Sequence, residues 1–431
     1  MRKIEISGQV TPALIAELLP RASVSIDSVS ETVSQIIAEV KQNSIKALDA
    51  HAERFDGLKN VSFRVPKDVL VEALNQLDPL LRVAIETSIT RVRAVSAATM
   101  PASVRVELDE GAIVEQLFIP ADSVGLYVPG GKAVYPSSVV MNVVPAQVAN
   151  VPRIAVSSPA QENGLPSPSV MATCALLGIE EVYGIGGASA IAAFAYGVPE
   201  IGLEPVAMVT GPGNIFVAAA KRQLRGVIGI DSEAGPTEIL IVADESANPR
   251  FLAADLISQA EHDQNAAAVL VTDSASLIEQ VEAELSVQVG LAKNRDRIEA
   301  SLGGIQSALV LVADMNAAMA VANEYATEHL EIQTANPEEL ARQVRHAGAV
   351  FVGAYSPVSL GDYLAGSNHV LPTGQQAKFS SGLSVFTFLR TQQHVTYSAD
   401  ALAKVADSLR VFSEAERLSA HGRAGSIRLE E

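Results

Sequence analysis

Tryptophan is absent from this 431-residue chain, aromatic residues make up only 4% of it, and cysteine occurs once. A single thiol, Cys174, excludes an intrachain disulfide framework and any cysteine-rich zinc knuckle. It sits in the apolar helical stretch 171–177 and reads as an inert core thiol. Basic residues are also in short supply: 31 Lys and Arg against 49 Asp and Glu leave a net charge of −18. That balance argues against a nucleic-acid surface, which needs clustered cations, and mildly favours cationic small molecules over anionic ones. No window reaches about 18 uninterrupted apolar residues, the length a membrane span requires. Nor does an apolar run follow Arg2-Lys3 in the manner of a signal peptide. The expectation is a cytoplasmic protein with neither nucleic acid nor membrane as partner. What is present is ordinary globular material: 48% hydrophobic residues, mostly Ala, Val, Leu and Ile, and enough length for two or three cores.

Apolar spacing predicts helices over 12–19, from Asp27 to about Phe55, and from about Pro66 to Ala98 with a break at Asp78-Pro79. Residues 105–119 alternate like a hairpin turned at Asp109-Glu110-Gly111. From Val124, short apolar strands (124–128, 153–157, 181–184, 206–209) alternate with helices. Several of these helices open at glycine-rich turns: Pro129-Gly130-Gly131, Gly186-Gly187 and Gly211-Pro212-Gly213-Asn214. Free N–H groups at such helix starts suit the phosphates of a nucleotide. None of the turns matches GxGxxG, so each can equally be plain connection chemistry. A second alternating set follows Gly235-Pro236-Thr237-Glu238, with strands 239–243, 267–272, 308–313 and 349–353. Asp244, Asp273 and Asp314 are placed to cap the helices after the first three. From about Leu383 the chain returns to helix (398–421), whose apolar stripe of Leu402, Val405, Leu409 and Phe412 has no local mate. It must pack on the N-terminal segment or on another chain. Two alternating blocks predict two α/β lobes with a ligand cleft between them.

The stretch Ser258-Gln259-Ala260-Glu261-His262 closes a helix that starts at Asn248-Pro249. Gln259 and His262, three apart, share a face, and a carboxamide oxygen and an imidazole nitrogen can both ligate a metal. Alone, they read just as well as surface residues at a helix end. Glu328-His329 puts a carboxylate beside an imidazole, either an acid–base pair or a surface pair at a helix-to-strand junction. Asp362 follows a Ser-Leu-Gly turn, and His421 stands five residues after Glu416 at a helix end. Gln259, His262, Asp362 and His421 form an N/O donor set of the hardness zinc or manganese accepts without thiolates. A zinc hydrolase with no redox cofactor could use that set; two α/β lobes with glycine-opened helices argue against it.

Seven segments carry a family signature in order and spacing. They are Val124-Gly125-Leu126-Tyr127-Val128-Pro129-Gly130-Gly131, Gly211-Pro212-Gly213-Asn214, Ala234-Gly235-Pro236 and Gln259-Ala260-Glu261-His262. Glu328-His329-Leu330, Gly361-Asp362-Tyr363 with Asn368-His369-Val370-Leu371-Pro372, and Ala415-Glu416-Arg417-Leu418-Ser419-Ala420-His421 complete them. In these the chain resembles the histidinol dehydrogenases over essentially its whole length. The resemblance implies NAD-dependent oxidation of L-histidinol to L-histidine through L-histidinal. It implies one zinc per subunit (manganese as substitute) on Gln259, His262, Asp362 and His421, with the substrate completing the coordination. Glu328 and His329 inherit the acid–base role, Thr237 and Glu416 substrate contacts, and Tyr127 and Asn214 contacts to NAD. Two departures stand out: Ser189 replaces a glutamine that contacts the nucleotide, and Thr237 replaces a serine. A neighbouring branch of similar dehydrogenases oxidises sulfonated diols; retained Glu416 and His421 and the acidic balance favour the imidazole amine. The resemblance further implies a homodimer whose C-terminal segment, with Glu416 and His421, reaches the other subunit's cleft. The expected fold class is α/β, two lobes with incomplete Rossmann-like parallel sheets plus small helical terminal segments. Its division is 1–25, an N-terminal helical segment; 26–123 with 239–383, a first lobe; 124–238, a second; and 384–431, a C-terminal helical segment.

Overall fold

Apolar strands followed by helices of ten or so residues leave few ways to bury both faces of a strand, and parallel pairing under covering helices is the commonest. The computed structural model, which describes residues 1–21, 26–59, 61–130, 134–233 and 235–430, is built on that solution. Gly131 and Ala234 of the family signature lie outside the described residues. The first strands are β1 (Arg2–Ile6), β2 (Val104–Asp109) and β3 (Ala112–Pro120). Next come β4 (Ser123–Tyr127), β5 (Arg153–Ser157), β6 (Glu181–Tyr183), β7 (Met208–Thr210) and β8 (Gly229–Ile230). The second block supplies β9 (Glu238–Ala243), β10 (Ala267–Thr272), β11 (Ala308–Val312), β12 (His329–Gln333) and β13 (Ala349–Val352), and β14 (Leu389–Tyr397) comes last.

One sheet runs β6-β5-β4-β7-β8 and another β1-β11-β10-β9-β12-β13, all pairs parallel. In each, the order reverses beside the first strand of its block, β4 or β9. A small antiparallel sheet, β14-β3-β2, has its two outer strands exposed on both faces. No described helix is long and apolar enough to cross a membrane.

Local chemistry accounts for the boundaries. The break in the long N-terminal helices falls at Asp78-Pro79, where the Asp78 carboxylate accepts from the N–H of Leu80 and Leu81, both at 2.9 Å. Asp314 caps its helix through Ala317 N–H at 2.8 Å, as expected, whereas Asn248 and Ser274 take that role in place of Asp244 and Asp273. Cys174 is fully buried, and burial pushes its thiol up to about 12.

Four features depart from the expectation. Residues 2–6 form an edge strand on β11, so the N-terminal segment is more than helical. Helices Ser30–Asn43, Lys67–Asn75 and Pro79–Ala98, grouped above with the first lobe, bury Val33, Ile37, Leu70, Ile85 and Val92 against the five-stranded sheet and its helices. Residues 389–397, not read as a strand, pair along the whole of β3. The pair Glu328-His329 does not lie at the surface: it opens β12, which sits between β9 and β13.

Candidate active site

A cleft of about 820 Å³ is lined from both parallel sheets. It lies outside the C-terminal ends of β4 and β7, where the strand order of the five-stranded sheet reverses, the usual ligand position in open α/β sheets. The opposite wall comes from the N-terminal ends of β9 and β12, from the turn carrying His262 and from the short helix Val358–Tyr363 carrying Asp362, which the sequence suggests as a turn.

On the first wall, Gly211 follows β7 with φ +112°, and a Cβ there would stand 2.0 Å from Tyr127 O, so only glycine fits. Asp231 Oδ2 accepts its N–H at 2.8 Å and Lys221 Nζ donates to its carbonyl at 2.7 Å. Asn214 N-caps the helix Ile215–Leu224, accepting from Phe216 and Val217 N–H at 3.0 and 3.2 Å, which leaves its amide N–H₂ for a ligand. Tyr127 Oη accepts from Gly187 N–H at 3.1 Å and burial pushes that hydroxyl up to about 12, so it stays a neutral hydrogen-bonding group. Ser189 is placed differently from Tyr127 and Asn214. It is buried away from the cleft lining, with Oγ 2.9 Å from His51 Nδ1, and His51 Nε2 donates to Glu39 at 2.6 Å.

The second wall carries the reactive groups. His329 Nδ1 is 3.0 Å from the carbonyl of Glu238, and a carbonyl can only accept, so the ring proton sits on Nδ1. The other nitrogen, Nε2, is buried without a partner, and burial pushes the imidazole below its usual range. A neutral ring with a buried lone pair free of protein partners can serve as a base. Glu328 Oε2 accepts from Thr237 Oγ1 at 2.5 Å and Glu238 N–H at 2.9 Å. Both donors favour the carboxylate, but burial outweighs them and raises the group to about 8. The Thr237 hydroxyl, having given its proton to Glu328, accepts from Gln259 Nε2 at 2.5 Å. Threonine therefore performs the joining task open to any hydroxyl here, and it leaves the Gln259 carboxamide oxygen as the free donor. His262 and Asp362 line the cleft close enough to interact: burial pushes the His262 imidazole down, against the pull of Asp362.

These residues fit a divalent ion as far as one chain goes. His262 and Asp362 both line the cleft, an imidazole nitrogen and a carboxylate, while Gln259 is tied to the cleft wall through Thr237; among the described residues no three His, Cys, Asp or Glu side chains form a group that could hold a metal ion. His421 and Glu416 are exposed on the C-terminal helices and take no part in the cleft lining. One residue left without a role above belongs to the cleft. His369 donates from Nδ1 to the Asp362 carbonyl at 2.9 Å and meets Ser138 Oγ at 3.0 Å through Nε2. Its place in the segment Asn368–Pro372, six residues after Asp362, was the available signal.

Comparison with known proteins gives one consistent result. The family model described as histidinol dehydrogenase matches residues 19–429. The chain is 52% identical to histidinol dehydrogenase from Leifsonia xyli subsp. xyli, covering 100% of both chains. It is 54% identical to that from Thermobifida fusca, covering 99% of this chain and 97% of the relative. The crystal structure of histidinol dehydrogenase from Elizabethkingia anophelis superposes with a TM-score of 0.95 at 30% identity, over 100% of this chain and 98% of that one.

Proposed function

The chain belongs to the histidinol dehydrogenase family, and we propose that its cleft carries out both NAD-dependent oxidations, L-histidinol to L-histidinal and L-histidinal to L-histidine. These are the final steps of histidine biosynthesis. The observation that carries the proposal is His329, whose proton is held on Nδ1 while Nε2 is left unpartnered and buried.

NAD, when bound, would supply the hydride acceptor, and zinc a Lewis acid that helps to orient the amino alcohol. Gln259, His262 and Asp362 would hold that ion, with manganese as its substitute. In the first oxidation His329 Nε2 takes the hydroxyl proton as hydride leaves the carbinol carbon. The aldehyde then takes up water; Glu328, as carboxylate, removes a proton from it and His329 assists. Loss of a second hydride from the hydrate gives the carboxylate, so each histidinol yields two reduced nicotinamides. Thr237 holds Glu328 and Gln259 to one another through both transfers. Asn214 and Tyr127 support the nucleotide at the reversal point of the five-stranded sheet, while Ser189 holds His51 and makes no nucleotide contact.

Glu416 and His421 enter from a second copy of the chain. What supports this is their exposure together with Phe412 and Val411, 71% and 56% exposed on the same C-terminal helix. A homodimer would cover that face and complete each site with one more nitrogen donor and one carboxylate. The enzyme would work in the cytoplasm, beside the rest of the pathway. Incubation with NAD and either L-histidinol or a sulfonated diol decides the substrate. Reduced nicotinamide should appear with histidinol, and turnover of the diol alone would overturn the assignment.

A further inference from the structure

Behind the cleft lies a second set of buried polar side chains that the chemistry above does not use. Glu331 follows His329 by two residues on β12, so both project from one face of the strand, and only 1% of Glu331 is exposed. Its carboxyl lies beside that of Asp255, close enough for the two to interact. Asp255 stands one helical turn before Gln259 on the helix Pro249–Ala260. Gln333 bridges the pair, donating from Nε2 to Asp255 Oδ2 at 2.9 Å and to Glu331 Oε2 at 2.8 Å. The other oxygen of Glu331 accepts from Val358 N–H at 3.0 Å. Val358 opens the short helix Val358–Tyr363, which carries Asp362.

One carboxyl pair thus ties three elements, each bearing part of the site. Glu331 is buried and Asp255 half-buried; two carboxylates side by side repel and neither can donate, whereas a proton on either turns the contact into a hydrogen bond. Burial holds both groups above the usual carboxylate range, Glu331 further still because of the Asp255 charge.

We propose that Asp255 and Glu331, bridged by Gln333, are positioning residues that lock the helix of Gln259 with the turn of His262 after it, and the helix of Asp362, onto the strand of His329 and so preset the spacing of the metal donors. This rests on the metal site proposed above. Partners behind metal ligands typically alter affinity about 10- to 100-fold.

The test is zinc affinity of the full-length protein, read by competition with a chromogenic chelator, in wild type, His262→Asn, Glu331→Leu and Glu331→Gln. Glu331→Leu removes both the tie to Asp255 and the acceptor for Val358, and should weaken zinc about 10- to 100-fold. Glu331→Gln can donate to Asp255 and accept from Val358, losing only the bond from Gln333, and should bind zinc clearly more tightly than Glu331→Leu. Should the leucine variant not fold, Glu331→Asp, whose shorter reach breaks one of the two ties, takes its place with the same expected loss. Wild-type affinity in Glu331→Leu or Glu331→Asp overturns the proposal, as does an equal loss in Glu331→Gln. Failure of wild type to bind zinc, or wild-type binding by His262→Asn, overturns the metal site itself and is thereby told apart.

Discussion

Glu328 gives the sharpest quantitative expectation, because its burial and the task proposed for it pull in opposite directions. Burial raises the carboxyl to about 8, yet activation of water on the aldehyde needs the ionised form. With that value, about a tenth of the groups are ionised at pH 7 and about nine-tenths at pH 9, so histidinal oxidation should rise roughly tenfold across that interval. The sign is that of a base: activity is gained as pH climbs through the raised value and lost below it. A bound dication favours the carboxylate, so metal loading can only move the rise to lower pH. The assay is saturating L-histidinal and NAD, with reduced nicotinamide followed in buffers from pH 5 to 9, for wild type and Glu328→Gln. In the variant the carboxamide cannot titrate, and the rise should vanish along with most of the rate. A wild-type profile flat over the whole range would refute the reasoning, and so would a rise that survives in Glu328→Gln.

His329→Asn should lower turnover of both histidinol and histidinal by about 10²-fold or more, the usual loss with a general base; unchanged turnover of either substrate would remove His329 from that step. Ser189→Ala should cost about 1–3 kcal/mol of stability by leaving His51 Nδ1 without its partner, seen as a lower melting temperature, while the KM for NAD stays put. A KM rise with no change in melting would restore Ser189 to the nucleotide. If His421 reaches the neighbour's cleft, co-refolding inactive His262→Asn with inactive His421→Asn should recover about a quarter of wild-type activity, since half the dimers are mixed and each has one intact site. No recovery, with mixed dimers shown to have formed, would rule the shared site out.

Much of the architecture could be read directly from hydrophobic pattern. Strands such as Ile239–Ala243 and Ala267–Thr272 are runs of apolar residues buried on both faces, and such runs announce themselves. β12 was missed because His329, Glu331 and Gln333 interrupt its apolar residues, although the alternation with Leu330 and Ile332 has the period of a strand. A fully buried strand with one polar face makes sense only once Asp255 and Glu238 are seen opposite it, and both are distant in sequence. β14 went unread for a different reason: LRTQQHVTY has only Leu389, Val395 and Tyr397 as apolar residues, because the sheet it completes is exposed. The reactive residues were legible as types, and family resemblance grouped them; that Glu328 and His329 are buried, and which ring nitrogen is free, came only from their neighbours. Ser189 shows the limit most plainly, since its partner His51 lies 138 residues away and nothing local points to it.

The most direct test of the account is stoichiometry. A limiting amount of L-histidinol is converted to completion with excess NAD, before and after chelation of the enzyme and again after zinc is returned. The account predicts two reduced nicotinamides per histidinol with histidine as the product, none after chelation, and recovery with zinc. One equivalent with histidinal accumulating, or full turnover by demonstrably metal-free protein, would contradict it.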